Sequence, residues 1–349
     1  MRRAGASLLL SLLLVPGCQP RAEGGEEDGE GASIPPPSAA APTAPPAGTA
    51  YLRPEGSGAW PTGADSIAGT PWTHEDWRRF RAVLEDAERR GLDTLPLGDA
   101  IAEMGALFLG TPYVPRTLEV PGPERLVVNL RGLDCVTLVE NVLALTRFHR
   151  LHGVAVLDDP PTARRRFEAA LTELRYRDGR VAGYPSRLHY FSEWIEEGAR
   201  RGRLQPVTPE LGGESDPEPI TFMTAHAEAY PQLADPQVLA EVRAHEARLG
   251  AGPARVYLPQ DRIAEAAAGI RNGDVIAATS TLAGLDVAHT GIAYWKDGVL
   301  HLLHAPLVGS HVVLSERSLA ERIRGIGSQD GILVARPLPT WFGGERMDR

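Results

Sequence analysis

The sequence predicts an α+β fold, with helices packed on an antiparallel sheet. Three observations carry that expectation. Apolar residues recur at helical spacing from about Pro71 to Ala268, the pattern changes to period two after Asn272-Gly273, and Asp297-Gly298 lies between two apolar runs as a hairpin turn would. No internal repeat is present. A chain of 349 residues with 43% hydrophobic and 23% charged content can bury a sizeable core. Its net charge of −9 supplies no positive field to gather phosphates, so nucleic acid is not an expected partner.

Arg2 and Arg3 precede an apolar stretch from Leu8 to Val15, too short to span a bilayer as a mature helix, so residues 1–17 read as a signal peptide. Val15-Pro16-Gly17-Cys18 resembles the lipobox of bacterial lipoproteins, which implies lipidation at Cys18 and a membrane anchor. Gln19 after the cysteine favours the periplasmic face of the outer membrane if the cell is Gram-negative, and a cell-envelope location in any case. Residues 18–70 continue with an acidic run from Glu23 to Glu30 and with Pro35-Pro36-Pro37 and Pro45-Pro46; this composition predicts an extended tether. A folded domain is expected over residues 71–349.

Thr73-His74-Glu75-Asp76 is a capped helix start, followed by Trp77, Phe80, Leu84 and Ala87 and stopped by Gly91. A second helix runs through Ile101, Met104 and Phe108 to Gly110-Thr111-Pro112. An extended stretch (Leu126 to Leu130) leads to a third helix from Gly132 to His149. Amphipathic helices follow from Arg164 to Arg175, Tyr190 to Arg200 and Val238 to Leu249, with a short one from Asp261 to Ala268. Strands are expected at Val275 to Ala278, His289 to Trp295, Val299 to Leu303, His311 to Leu314 and Ile332 to Arg336.

With Cys18 lipidated, Cys135 is the one remaining thiol and can form no internal disulfide. It stands in the first turn of the third helix. There, free backbone N–H groups and the positive dipole end stabilise a thiolate and can serve an oxyanion. A nucleophilic cysteine needs a base. If Asp297-Gly298 is a two-residue loop, Lys296 opposes Val299, His304 opposes Gly291, and His304 lies diagonal to His289 on the same face. That arrangement suits His289 as base and His304 as its orienter. A loop one residue longer would put the two rings on opposite faces. There is no HExxH and no CxxC, so neither a zinc site nor a cofactor is expected.

Several phrases then carry a resemblance. Leu109-Gly110-Thr111-Pro112-Tyr113, Leu133-Asp134-Cys135, Asn272-Gly273-Asp274-Val275, His289-Thr290-Gly291-Ile292 and His304-Ala305-Pro306 follow the motif order of NlpC-type papain-like cell-wall peptidases. The chain more closely resembles the N-acetylmuramoyl-L-alanine amidase-like subfamily, through Val127-Val128-Asn129-Leu130, the run from Leu133 to Glu140, the run from Ser186 to Trp194, and Gly284 to His289. The resemblance spans about Pro71 to the last residue. It implies a papain-like fold with Cys135 as nucleophile, His289 as base and His304 as third member. By the same match Tyr113 contacts substrate; Arg187, His189 and Tyr190 are candidate pocket residues, with capping and packing as their alternative roles, and Asp286 is a further candidate pocket residue. The implied activity is cysteine-dependent hydrolysis of an amide bond in peptidoglycan or muropeptides, first the bond from the muramic lactyl group to L-alanine. Two alternatives stay open: the bond between D-glutamate and the diamino acid, and a non-catalytic binder of wall fragments. The long insertion between Cys135 and His289 departs from simpler NlpC enzymes and is expected to reshape the cleft.

Overall fold

Helix α1 (His74–Arg89) starts where the sequence signals it: the Thr73 hydroxyl accepts from the Asp76 N–H at 3.0 Å and buries the turn with Trp72, Phe80 and Leu84. Asp76 does more than begin a helix. Its fully buried carboxylate accepts from the Leu130 N–H at 2.9 Å and from Arg131 Nε at 3.1 Å. The extended stretch before the third helix is thereby pinned to α1, and its backbone makes side-chain bonds instead of joining a sheet. The computed structural model describes residues 65–307 and 310–344; the expected signal peptide, Cys18 and nearly all of the expected tether lie outside the described residues. Ordered contacts begin slightly before Pro71, because Ser66 bridges to Thr73 and the Ile67 N–H donates to the Trp72 carbonyl.

After α2 (Leu97–Ala106) comes α3 (Cys135–His152), the central helix, buried along nearly its whole length by α2, α4 (Pro160–Arg175) and the sheet. It begins three residues later than the apolar pattern suggested. Asp134 is its N-cap: the carboxylate accepts from the Thr137 N–H at 2.8 Å while the Thr137 hydroxyl accepts from the Asp134 N–H at 2.9 Å.

The region between α4 and the main strands holds α5 (Phe191–Arg200), β1 (Leu204–Pro206), β2 (Glu214–Asp216), α6 (Phe222–Ala225), α7 (Pro236–Ala251), β3 (Arg255–Pro259) and α8 (Ile263–Ala266). Then come β4 (Val275–Ser280), β5 (Val287–Lys296), β6 (Val299–His304), β7 (Val313–Leu314), α9 (Leu319–Arg324) and β8 (Gln329–Pro337). The α+β class and the antiparallel pairing follow the sequence expectation. The segregation of helices from strands does not, because β1, β2 and β3 precede Asn272 and were not signalled. The strands run β2-β3-β8-β4-β5-β6-β7, and β1 pairs with the second half of β8. The last strand is therefore in the middle of the sheet. One face packs against α3 through Ala277, Ile292, Leu303 and Ala335; the other packs against α9 through Ala293, Leu302 and Val334. A smaller apolar cluster, with Tyr190, Phe222, Met223, Tyr230 and Val242, builds the inserted lobe.

Candidate active site

Cys135 is the first residue of α3, half-buried, on the wall of a cavity of about 250 Å³. The cap geometry points the free amides of this first turn at the thiol, and the Thr290 N–H of β5 lies against it as well. The sequence reading expected these groups to stabilise a thiolate. The structure reverses that for the resting fold: burial, then the neighbouring Asp134 carboxylate, outweigh the amides and push the thiol up to about 12. A thiolate therefore has to be made by handing the proton to a base.

The candidate base, His289, is on β5. Lys296 pairs with Val299 across a two-residue turn, Asp297 and Gly298 taking φ of 51° and 78°, the left-handed pair such a turn requires. Ile292 pairs with Leu303, so the next rung sets Gly291 opposite His304. His289 Nε2 and His304 Nδ1 are 2.8 Å apart, with the rings at 86°. His289 lines the cavity beside Cys135 and Thr290; His304 lies behind it. The rings are only 3% and 4% exposed, and burial makes both hard to protonate, carrying His289 down to about 3. His301, one turn of the pleat away, donates to the Ser315 carbonyl at 2.8 Å on the opposite face.

The remaining candidates, Tyr113 among them, all line the same cavity. Their polar atoms largely serve the fold. Arg187 donates to Glu119 at 2.6 Å and to the Leu118 carbonyl at 2.9 Å, and the His189 Nε2–H donates to the Tyr184 carbonyl at 2.9 Å. The Tyr190 hydroxyl donates to Glu246 at 2.7 Å and accepts from the Met223 N–H at 2.8 Å. Asp286 caps α5 by accepting from the Ser192 N–H at 2.7 Å, and its burial raises the carboxyl. These four offer the cavity carbon and ring surface more than free polar groups. Phe222, Met223, Tyr230 and Leu285 complete the wall from the insertion, which does shape the cleft.

The sequence reading passed over Asp134, whose Asp-x-x-Thr spacing is a legible capping signature, and the buried pair of Glu140 with Arg175 at 2.7 Å beneath the cleft. It also passed over Arg322 on α9, whose guanidinium reaches His304; eighteen residues of separation leave no sequence signal for that contact. Among the described residues, one grouping could hold a metal ion, Glu88, Asp93 and His149. It lies at the far end of α3, about 21 Å of helix from Cys135.

With this geometry in place, comparison with known proteins is informative. The sequence model of an AmiA-like, N-acetylmuramoyl-L-alanine amidase-like family matches residues 103–328, which include Tyr113, Cys135, His289 and His304. A crystal structure of an N-acetylmuramoyl-L-alanine amidase from Bacteroides uniformis is 38% identical, covering 69% of this chain and 99% of that one with a TM-score of 0.63. A Bacteroides fragilis structure, provisionally described as a xylanase, is 37% identical over 66% of this chain and 98% of that one, with a TM-score of 0.60. A Legionella pneumophila structure at 22% identity covers 76% of this chain and 95% of that one with a TM-score of 0.53, a likeness of fold. No curated protein matches the chain.

Proposed function

The chain belongs to the N-acetylmuramoyl-L-alanine amidase-like family, and from that premise we propose that it is a cysteine-dependent amidase cutting the bond between the muramic lactyl group and L-alanine. The observation that carries this reading is the hydrogen-bonded pair His289–His304 set behind a thiol at a helix start. The helix-borne cysteine followed by strand-borne histidines also supports a papain-like, NlpC-type placement of the fold.

The mechanism follows from the atoms. Nε2 of His289 is committed to His304, which leaves Nδ1 to take the Cys135 proton. The thiolate attacks the lactyl carbonyl carbon, and the developing oxyanion meets the amides at the start of α3. The His289 imidazolium then gives its proton to the L-alanine nitrogen as the C–N bond breaks, leaving a thioester on Cys135. Water, deprotonated by His289, hydrolyses the thioester and restores the thiol. His304 holds the imidazole and steadies its charge.

A glycosidic bond fits less well. Its hydrolysis needs two carboxyl groups facing each other across the cleft, and those lining this one are engaged: Asp134 by Thr137, Glu140 by Arg175, Glu119 by Arg187 and Asp286 by Ser192. We also propose that Cys18 carries lipid and that residues 18–70 tether the catalytic domain to the envelope, on the periplasmic face of the outer membrane in a Gram-negative cell.

Mass spectrometry of products from a defined muropeptide tests the reading. A new free amine on L-alanine is expected. A new amine on the diamino acid would assign the endopeptidase reaction instead, and tight binding without any product would assign a binder.

A further inference from the structure

Two imidazoles at 2.8 Å can share one added proton but not readily two, because the second would put like charges in contact. For the proposed chemistry it matters which ring holds that proton. On His289 it stands in the cleft beside the leaving nitrogen. On His304 it is one ring further back and useless as an acid, and the acceptor that should steady His289 has become a donor. The two rings are chemically identical and both buried, so something else has to break the tie.

Helix α9 supplies it. Leu319, Ala320 and Ile323 seat the helix on the sheet face that carries Leu300 and Leu302, and this brings the half-buried Arg322 against His304. Arg322 Nε is 3.4 Å from His304 Nε2, and Arg322 Nη2 is 3.4 Å from His304 Nδ1. Both separations are long for hydrogen bonds, so the ring stays able to accept at Nδ1 from His289. The guanidinium acts chiefly as a fixed positive charge, which no ordinary pH removes. Its two contacts with the pair are both on His304, although its charge reaches His289 as well. Among the described residues, the charged groups acting on the pair are Arg322 from α9 and each ring for the other, with Cys135 from α3 on the same cavity, while the carboxylate of Asp286, three residues before His289, is turned to the Ser192 and Val287 amides.

We propose that Arg322 is a positioning residue that acts through His304, keeping that ring uncharged so that the proton taken from Cys135 stays on His289. The inference rests on the amidase reading for its purpose, though the proton's address can be measured without any substrate.

The test is a pH titration of the full chain with ¹⁵N-labelled histidine rings, read by NMR, in the wild type, Arg322→Gln and Arg322→Lys. In the wild type the first proton gained by the pair should appear on His289. In Arg322→Gln the pair's midpoint should rise by about one pH unit, tenfold in proton affinity, with His304 sharing or taking the proton. Arg322→Lys, which keeps the charge, should stay near wild type. The acid limb of kcat/KM on a muropeptide should move up with the NMR midpoint in Arg322→Gln. A first proton on His304 in the wild type would overturn the proposal, and so would an unchanged titration in Arg322→Gln. So would a loss of turnover equal at every pH, since that marks a merely structural contact. If Arg322→Gln fails to fold, the wild-type address and the lysine variant still decide. Failure to cleave muropeptide with the titration as expected would count against the amidase reading and leave the proton's address standing.

Discussion

At the scale of single residues, the site contains one group that is harder to ionise than its position suggests. Cys135 begins a helix, yet burial and Asp134 keep its thiol protonated. Asp134→Asn separates the two effects, because asparagine still caps Thr137 while the charge is gone. The thiol should fall in that variant, giving more thiolate at any pH below about 12. Iodoacetamide labelling of Cys135 at pH 8 should accelerate several-fold with the melting temperature little changed; an equal rate would show that the carboxylate does not act on the sulfur. The histidines should fail unequally. His289→Ala loses both base and acid, so turnover on muropeptide should drop by about 10³-fold or more. His304→Ala should also be severely impaired, but His304→Asn should regain part of the loss by accepting from His289 Nε2, which equal turnover in the two variants would contradict. The helix-start position of Cys135 and the pairing of His289 with His304 were legible because each belongs to a local pattern. The charge of Asp134 on the sulfur was not, since its effect depends on how deeply α3 is buried, and burial is a property of the packed molecule.

At the scale of elements, the β5–β6 hairpin decides whether the two rings meet at all. Asp297-Gly298 was readable because its left-handed pair suits few other residues. One residue added to that turn should throw His304 to the other face, giving a folded protein without turnover whose Cys135 still accepts iodoacetamide; full activity would mean the hairpin slips to recover its register. Gly291 guards the same spacing. A Cβ there would come within 2.6 Å of the Leu303 carbonyl oxygen and 3.0 Å of His304 Cβ, so the rung carrying His304 must open. Gly291→Ala should cost about 1–3 kcal/mol in a urea melt and lower kcat with it, whereas an unchanged melt would reveal slack between the strands. The amphipathic helices were equally legible. β1 and β2 were not, because three residues give too little alternation to register, and their partners lie far along the chain. α9 was missed as a site element for the same reason: what it touches is set by the sheet.

At the scale of the whole molecule, the α+β class was readable from the change of period, whereas the way the insertion adds strands to the sheet was not. Its lobe has its own apolar cluster and also lends Phe222, Met223 and Tyr230 to the cleft, so it forms part of the cavity wall. No helix among the described residues is long and apolar enough to cross a membrane; the proposed anchor is the lipid on Cys18. Cys18→Ala should abolish palmitate labelling and release the protein from the membrane fraction, with amidase activity on soluble muropeptide retained; equal labelling of both forms would remove the anchor. The place of β8 has a consequence of another kind. A ribosome makes this strand after every other, and it fills the gap between β3 and β4. While the chain is emerging, the two halves of the sheet have nothing to join them, and β1, β3 and β4 wait with open edges. Assembly of the sheet is thus timed by the arrival of β8, so the strand that carries His289 keeps an unfinished neighbour in β4 until β8 is made.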